Sequence, residues 1–203
     1  MTARHRTAST EIESRILDAA LRILDTQGVA ALTVRGIAKE AGIAPMGIYS
    51  RFDGKSGIYE ALWIEGFDRL AAAIEATPDT GDPLADLAEC GERYRGFALA
   101  NPSHYRLMFM RTDHSFTPSP NAALAAARGL NCLVARVERA QRAGLMPPGP
   151  PLDLAQSFWS LVHGFATLEL NELMFASEPD AAYSSTVRAL LRGLEPADAS
   201  ASI

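Results

Sequence analysis

Twelve prolines punctuate this chain, and their spacing constrains the fold more strongly than any other feature of the sequence. Proline breaks the interior of a helix but suits its first turn. The stretches between the prolines are long and rich in Ala, Leu, Arg and Glu, and no run of alternating β-branched residues interrupts them. Because such stretches favour helices, the sequence predicts an all-α protein whose helices are bounded by prolines.

The composition indicates a globular protein. The chain has 203 residues, 48% of them hydrophobic, which is enough to bury a core in one large domain or two small ones. No apolar run approaches the ~20 residues of a membrane span, and the basic start lacks the apolar stretch of a signal peptide. Cys90 and Cys132 are too far apart to predict a disulfide framework or a Cys-x-x-Cys metal site. We therefore expect a cytoplasmic protein without a membrane partner.

Charge is distributed unevenly along the chain. The net charge of −5 by itself argues against a nucleic-acid partner. Residues 1–58, however, hold eight basic against six acidic residues, whereas the remainder holds 11 against 18. A mildly basic N-terminal segment followed by an acidic remainder predicts two functions in one chain.

The first helix carries clear start and stop signals. Thr10 and Glu13 have the spacing of a capping box, apolar residues follow at helical intervals from Ile12 to Leu24, and Gly28 ends the pattern. Short helices are predicted at 34–41 and from Pro45 through Phe52, and a fourth helix after Gly54. Later helices are predicted at about 82–100, 102–110, 121–143, 152–176 and 179–193, with loops at 112–120 and 146–151 and a disordered tail at 195–203.

Residues 33–52 have the pattern of two short helices joined by a tight turn. Such a pair needs a small residue at the crossing and a residue that tolerates positive φ at the corner, and Ala38 and Gly42 meet these needs. The inward residues of the pair are expected to be Ile37, Ala41, Ile43, Ile48 and Phe52. The spacing alone does not distinguish this motif from an ordinary two-helix hairpin within a helical bundle, which remains the alternative. The outward side favours a helix that enters the major groove of DNA, because its residues are small or form hydrogen bonds: Met46, Gly47, Tyr49, Ser50 and Arg51.

Over residues 10–65 the sequence resembles the TetR (tetracycline-repressor) family of bacterial transcriptional regulators. The resemblance rests on Thr33-Val-Arg35, Ile37-Ala38, Ala41-Gly-Ile43 and above all on Ile48-Tyr-x-x-Phe-x-x-Lys55. The later segments Asn101–Phe109 and Trp159-x-x-x-His163-Gly164 resemble the effector domain of one subgroup of that family.

The resemblance implies a role for each matching position of the predicted DNA-binding domain. Thr33, Tyr49 and Lys55 would contact phosphates, Arg35 and residues 44–47 would lie at base edges, and Arg51 would stand where a phosphate-contacting side chain is usual. The predicted DNA-binding residues are Thr33, Arg35, Ala44, Pro45, Met46, Gly47, Tyr49, Ser50, Arg51 and Lys55.

Two positions depart from the family pattern. Ala44 replaces the commoner Ser or Thr, and Met46 stands where Lys, Arg or Thr is frequent. Base contacts would then depend on thymine methyl groups together with Arg35. Alternatively, Tyr49 is a packing residue and Met46 is simply exposed, and the basic residues Arg4 and Arg6 form either a solvated tail or a minor-groove arm.

The predicted helix 152–176 is apolar nearly all round, which indicates burial on both sides. One side would face the core and the other a second copy of the chain. Ser160, Gly164 and Thr167 form a strip of small residues that would allow close approach of the partner, and dimerisation through this helix and 179–193 is also what the family implies.

An effector pocket is predicted between the fourth helix and the helices near 82–110 and 152–176. Its candidate residues are Trp63, Phe67, Tyr94, Phe97, Tyr105, Met108, Phe109, Trp159 and His163. Each of them could instead be plain core, and His163 a core histidine with its hydrogen bonds satisfied. Arg93, Arg95 and Arg106 are expected to point to solvent, so a hydrophobic effector is favoured over a strongly anionic one.

Taken together, these features predict a homodimeric, ligand-responsive repressor released from palindromic operator DNA by a small hydrophobic effector, with no cofactor and no metal. Residues 1–58 would form a three-helix DNA-binding domain with the helix-turn-helix at 33–52, and residues 59–194 an effector-binding and dimerisation domain. The alternative from another class is a helical enzyme that binds a small molecule but no DNA. His104, Asp113 and His114 invite a metal site, yet no His-x-x-x-His or Glu-x-x-His pair, P-loop or Gly-x-Ser-x-Gly supports catalysis.

Overall fold

The computed structural model describes residues 2–110 and 116–194. In that part of the chain it contains nine α-helices, one short 3₁₀ turn at Val29–Ala31 and no strand, so the all-α prediction is confirmed. The helices are α1 (Thr2–Gln27), α2 (Val34–Ala41), α3 (Met46–Phe52), α4 (Gly54–Glu75), α5 (Pro83–Ala100), α6 (Pro102–Phe109), α7 (Pro120–Arg142), α8 (Pro151–Leu170) and α9 (Pro179–Gly193).

Proline begins each of the last five helices, α5 to α9. The fixed φ of proline suits the first helical turn, where its missing N–H would have no partner within the helix. Asp82 adds a side-chain cap to α5, because its carboxylate accepts hydrogen bonds from the backbone N–H groups of Leu84 and Ala85. Proline therefore marks helix starts in this chain, as the sequence predicts. No helix in the described residues is long and apolar enough to cross a membrane.

Two predicted helix ends are wrong. α1 begins at Thr2 and not at Thr10, because residues 2–9 contain neither proline nor glycine and so do not interrupt the helix. α8 ends at Leu170, six residues before the predicted end, because Glu172 adopts the left-handed conformation (φ 57°). The predicted disordered tail at 195–203 lies outside the described residues.

The described residues divide into two compact units. The first takes them from Met1–Phe67 and Ser103–Ala125. In it, α1 packs on α2, and one continuous apolar core joins α1, α2, α3, α4 and α6. Each of these helices contributes a fully buried residue at a position given by its apolar periodicity: Ile16, Ile37, Ile48, Ile58 and Leu107.

The second unit takes the described residues of Asp68–Pro102 and Ala126–Ile203. In it, α5 packs against α8 and α9. Gly91 permits this approach, since a Cβ there would lie 2.8 Å from the Tyr183 hydroxyl and 3.1 Å from the Phe158 ring. Phe158 and Tyr183 are themselves fully buried, so α5, α8 and α9 form one core.

Candidate nucleic-acid interface and effector site

Two caps define the start and the end of α2, the first helix of the helix-turn-helix. At the start of α2, the Thr33 hydroxyl accepts a hydrogen bond from the Gly36 N–H at 3.1 Å. At its end, Gly42 adopts the left-handed conformation (φ 65°), and the N–H groups of Gly42 and Ile43 donate to the carbonyls of Lys39 and Ala38. These two bonds form a Schellman motif, which stops α2 and turns the chain toward α3.

The inward face of the pair agrees with the prediction. Ile37, Ala41 and Ile48 are buried. Ile43 and Phe52 are half-buried and pack against the same core. With both helices anchored in one core, the orientation of α3 relative to α2 is fixed by packing.

The predicted DNA-binding residues lie on α2, the turn, α3 and the first turn of α4. Seven of them are exposed, namely Thr33, Arg35, Ala44, Pro45, Met46, Tyr49 and Ser50, and three are half-buried, namely Gly47, Arg51 and Lys55. Met46 is 74% exposed and Tyr49 is 56% exposed, the two most exposed large apolar residues of this region. A partner can therefore reach the outward side of α3 without rearrangement of the helix.

The polar side chains of α3 bond within the helix itself. The Ser50 hydroxyl donates to the Gly47 carbonyl at 3.1 Å. Nη1 of Arg51 donates to the same carbonyl at 3.0 Å and to Ser50 Oγ at 3.1 Å. The helix thus presents few uncommitted hydrogen-bonding groups beyond Tyr49.

The junction between α3 and α4 depends on glycines that were not among the predicted site residues. Asp53 and Gly54 both have positive φ, and the Tyr49 ring lies against Gly54, 3.3 Å from the place of a Cβ. A Cβ on Gly57 would overlap the carbonyl oxygen of Phe52. The Asp-Gly pair was a recognisable turn signal, whereas nothing in the sequence pattern distinguishes Gly57 from an ordinary helical residue.

Two basic residues of α1 bond within the unit. Nη2 of Arg15 donates to the Ala41 carbonyl at 2.5 Å, at the end of α2, and Arg22 pairs with Glu40 at 2.8 Å. Cations near a helix C-terminus stabilise it. Part of the basic charge of residues 1–58 is thus used to hold α2 on α1 and is not available to a nucleic acid.

Five predicted effector residues lie in the first unit. Tyr105 and Met108 are buried, and the Phe67 ring lies 5.1 Å from the Trp63 ring and 5.4 Å from the Phe109 ring. Two further aromatic residues, Tyr59 and Phe116, join this cluster and were not predicted. Gly66 brings α4 onto α6 there, since a Cβ would lie 2.6 Å from the Met108 sulfur.

The other four lie in the second unit, where three of them form a hydrogen-bonded chain. Nε1 of Trp159 donates to the Tyr94 hydroxyl at 3.2 Å, and that hydroxyl lies 2.9 Å from Nδ1 of His163. Since an indole N–H can only donate, the Tyr94 oxygen accepts a hydrogen bond from Trp159. The Tyr94 hydroxyl can then donate its own hydrogen bond to Nδ1 of His163. Phe97, the fourth residue, is buried.

His163 is held in its neutral form. Burial disfavours the imidazolium and lowers the pKa of His163 below its ordinary value of 6.5. A neutral ring that accepts at Nδ1 carries its proton on Nε2. The three side chains therefore contribute both hydrogen-bond donors and acceptors to one chain of contacts between α5 and α8.

Arg95 corrects an expectation. It was predicted to point to solvent, but it is 8% exposed, because it lies against the nearly buried Glu169 of α8 and the buried Tyr183 ring of α9. It forms two hydrogen bonds of 2.6 Å to the Glu169 carboxylate and one of 2.6 Å to Asp180, and its guanidinium lies 5.0 Å above the Tyr183 ring. The Glu169 carboxylate raises the pKa of Arg95 above its ordinary value. Of the other two arginines, Arg93 is half-exposed beside Glu89 and Arg106 is exposed.

Within this chain α8 is covered on one side, as predicted for the side that faces the core, and burial of its other side by a second copy of the chain stays a prediction. Its buried residues are Ala155, Phe158, Val162 and Ala166. On other sides Leu152 and Leu168 are exposed, and a Cβ added to Gly164 would meet nothing within 4 Å. Beyond the end of α8, the Phe175 side chain is fully exposed.

No group of three or more His, Cys, Asp or Glu residues is placed to hold a metal ion in the described part of the chain. His104 is buried. Asp113 and His114, the other residues considered for a metal, lie outside the described residues.

Two family models match the chain. The model described as "Bacterial regulatory proteins, tetR family" matches residues 16–62, which include α2 and α3. The model described as "Tetracyclin repressor-like, C-terminal domain" matches residues 87–190, half of the chain. The subgroup suggested by Trp159, His163 and Gly164 stays a prediction.

Similar proteins and structures agree with these matches. The chain is 25% identical to YobS, an uncharacterized HTH-type transcriptional regulator of Bacillus subtilis, over 90% of this chain and 92% of that protein. It is 35% identical to the HTH-type transcriptional regulator AcrR of Shigella flexneri over 44% of this chain and 42% of that protein. A Rhodococcus sp. RHA1 structure of unknown function superposes with a TM-score of 0.82 at 26% identity, covering 91% of this chain and 96% of that one. A tetR-family regulatory protein from Rhodococcus RHA1 shares the fold, with a TM-score of 0.73 at 22% identity over 92% and 98% of the two chains.

Proposed function

Because this chain belongs to the TetR family of DNA-binding transcriptional regulators, which are not enzymes, we propose that it is a homodimeric repressor released from a palindromic operator by a small hydrophobic effector. The observation that carries the proposal is the outward side of α3, which is exposed on a helix held rigidly by the core. Two such helices, one per subunit, would enter successive major grooves about 34 Å apart. As a regulator of bacterial genes, it would act in the cytoplasm.

The proposed contacts to DNA divide into two kinds. Thr33, Tyr49 and Lys55 would bind phosphates and position the helix-turn-helix, since they lie where the family binds phosphate. Arg35 and the segment 44–47 would meet base edges. Phosphate contacts contribute affinity and salt dependence, whereas base contacts contribute sequence preference.

The proposed dimer uses the uncovered side of α8 together with α9. Support comes from the open space at Gly164 and from the exposed Leu168 and Phe175 side chains, since apolar surface left open by one chain favours a protein partner. Ser160 and Thr167, close to Gly164 on the same helix, would let two α8 helices approach closely.

The proposed effector binds beside Tyr94, Trp159 and His163. These residues combine aromatic surface with a small number of hydrogen-bonding atoms, the usual composition of a small-molecule site. The effector would favour a conformation in which α4 is displaced. α4 begins at Gly54, carries Lys55 in its first turn and continues as one helix to Glu75.

The test begins with the wild-type dimer and its operator duplex. A thermal-shift screen of small hydrophobic molecules identifies effectors, and fluorescence anisotropy then measures operator affinity with and without them. A true effector should weaken operator binding by ~5–150-fold, and the operator should weaken effector binding by the same factor. Trp159→Ala and His163→Ala should lose this response and keep effector-free DNA binding near normal. Effector release that is unchanged in both variants would contradict the proposed site.

A further inference from the structure

The outward side of α3 begins with side chains that cannot form hydrogen bonds to bases. Ala44, Pro45 and Met46 follow one another at the start of the helix, and all three are exposed. Pro45 also lacks a backbone N–H. Met46 projects farthest, with 74% of its surface exposed. A helix with this face can contact bases mainly through van der Waals surface.

The neighbouring polar residues, Ser50 and Arg51, use hydrogen-bonding groups within the helix and so do not replace the donors that residues 44–46 lack. The single proton of the Ser50 hydroxyl is donated to the Gly47 carbonyl at 3.1 Å, and its oxygen accepts from Arg51 at 3.1 Å. Nη1 of Arg51 donates a second time, to the Gly47 carbonyl at 3.0 Å. The Ser50 hydroxyl and Nη1 of Arg51 are thus bonded within α3, whereas Arg35 is an exposed cationic donor on α2.

We propose that α3 recognises its operator through the C5 methyl groups of thymines, with Met46 as the residue that determines specificity. In the major groove the thymine methyl is the one apolar feature of a base pair, and apolar side chains are its usual partners. The small Ala44 side chain would let the helix approach closely enough for Met46 to cover a methyl group. Thr33, Tyr49 and Lys55 would hold the register without distinguishing bases. This inference rests on the proposed function, because it describes how the same helix selects its operator.

The experiment isolates the methyl group from the base pair. A duplex is selected in vitro from a random library with the full-length protein, and each thymine of the half-site is replaced in turn by deoxyuridine, which pairs identically but lacks the methyl. Anisotropy at constant salt should show that affinity falls about fourfold at the contacted position, which corresponds to one buried methylene. A symmetric operator presents the position twice, so replacing both should cost about 15-fold. Replacing that thymine by cytosine and then by 5-methylcytosine should recover affinity at the second step.

Variants assign the effect to a residue. Met46→Ala should bind the thymine and deoxyuridine duplexes equally, whereas Met46→Leu should still discriminate between them. A variant outside the proposed DNA contacts should discriminate between the two duplexes like the wild type. Leu124→Ala is a matched control, since Leu124 is similarly exposed, at 70%, but lies on α7.

Each outcome has a separate meaning. A selection that enriches no sequence would overturn the proposed function itself. Specific binding without any effect of deoxyuridine would overturn thymine recognition and leave the proposed function standing. A deoxyuridine effect that persists in Met46→Ala, or disappears in Leu124→Ala, would remove Met46 as the determinant of specificity.

Discussion

Arg35 in the first unit and Arg95 in the second differ in what surrounds the guanidinium. In the first unit, Arg35 lies exposed on the short helix α2, beside the turn that presents α3. In the second unit, Arg95 is buried between α5, α8 and α9, bonded to carboxylates 74 and 85 residues away in sequence. The first unit thus leaves the Arg35 charge exposed, as the proposed contact with DNA requires, whereas the second unit uses the Arg95 charge to join its own helices.

The largest effect should follow from breaking the buried network of the second unit. Arg95→Leu leaves Glu169 nearly buried without its partner, so the free energy of unfolding should fall by about 3–5 kcal/mol. Chemical denaturation measures the decrease. Arg93→Leu is the control, because it removes only a surface pair with Glu89 and should cost at most about 1 kcal/mol. The double variant Arg95→Leu/Glu169→Leu should recover most of the stability, and equal decreases in both arginine variants would contradict a buried role for Arg95.

The next effect concerns the exposed face of the first unit. Tyr49→Phe keeps the ring against Gly54 but removes the hydroxyl, and without its hydrogen bond to a phosphate operator binding should weaken by about 1.5–3 kcal/mol per subunit. Lys55→Ala should reduce the slope of log affinity against log salt by ~0.9 for each phosphate that Lys55 neutralises. Titrations at several salt concentrations measure both. Arg142→Ala, an exposed cation of the second unit, should change neither, and wild-type binding by Tyr49→Phe would make Tyr49 a packing residue.

A third test asks whether the open side of α8 is an interface. Gly164→Leu should disfavour the dimer by about 1–3 kcal/mol per subunit, the usual cost of overpacking. Light scattering over a concentration series should then detect monomer or aggregate, with weaker operator binding. Gly96→Leu makes the same change on α5, where a Cβ also meets nothing within 4 Å, and should remain dimeric. Indistinguishable behaviour of the two variants would place the interface elsewhere.

The smallest effect is a dependence of stability on pH. Burial lowers the pKa of His163 in the folded protein, so the unfolded chain binds the proton first as the pH falls below about 6.5. Stability should therefore decrease from pH 7.5 to 5.5, and by less in His163→Gln than in the wild type. Asp86 does not interfere, because its hydrogen bond from Thr80 lowers its pKa from 3.8, below this window. Urea denaturation measures the free energy of unfolding at each pH. If this free energy depends on pH equally in the wild type and in His163→Gln, His163 is not buried as a neutral ring.

Two helix ends show why one region was easier to predict than the other. α2 and α8 both end in the same pattern of hydrogen bonds, from Ile43 to Ala38 and from Leu173 to Leu168. The left-handed residue is Gly42 in the first case and Glu172 in the second. Glycine signals this conformation in a sequence, whereas glutamate does not, so the end of α2 was predicted correctly and that of α8 was placed six residues too late.

The candidate sites follow the same division. The residues of the helix-turn-helix are near neighbours in sequence, so periodicity and a family motif sufficed to separate the inward Ile37 and Ile48 from the outward Met46 and Tyr49. Tyr94 and His163 were both named as effector residues, but their hydrogen bond joins positions 69 apart and no local pattern indicates it. The pairing of Trp159 with Tyr94 escaped prediction for the same reason.

By itself the sequence determined the helical class, the proline-marked starts of α5 to α9, the helix-turn-helix with its two faces, and the resemblance to the TetR family. These properties depend on residues within a few turns of each other, where backbone geometry alone relates spacing to structure. Tertiary structure decided the burial of Arg95, the neutral His163 beside Tyr94, and the side of α8 that one chain leaves open. Those depend on which distant helices meet, because burial and charge pairing are set by neighbours in space and not by neighbours in sequence.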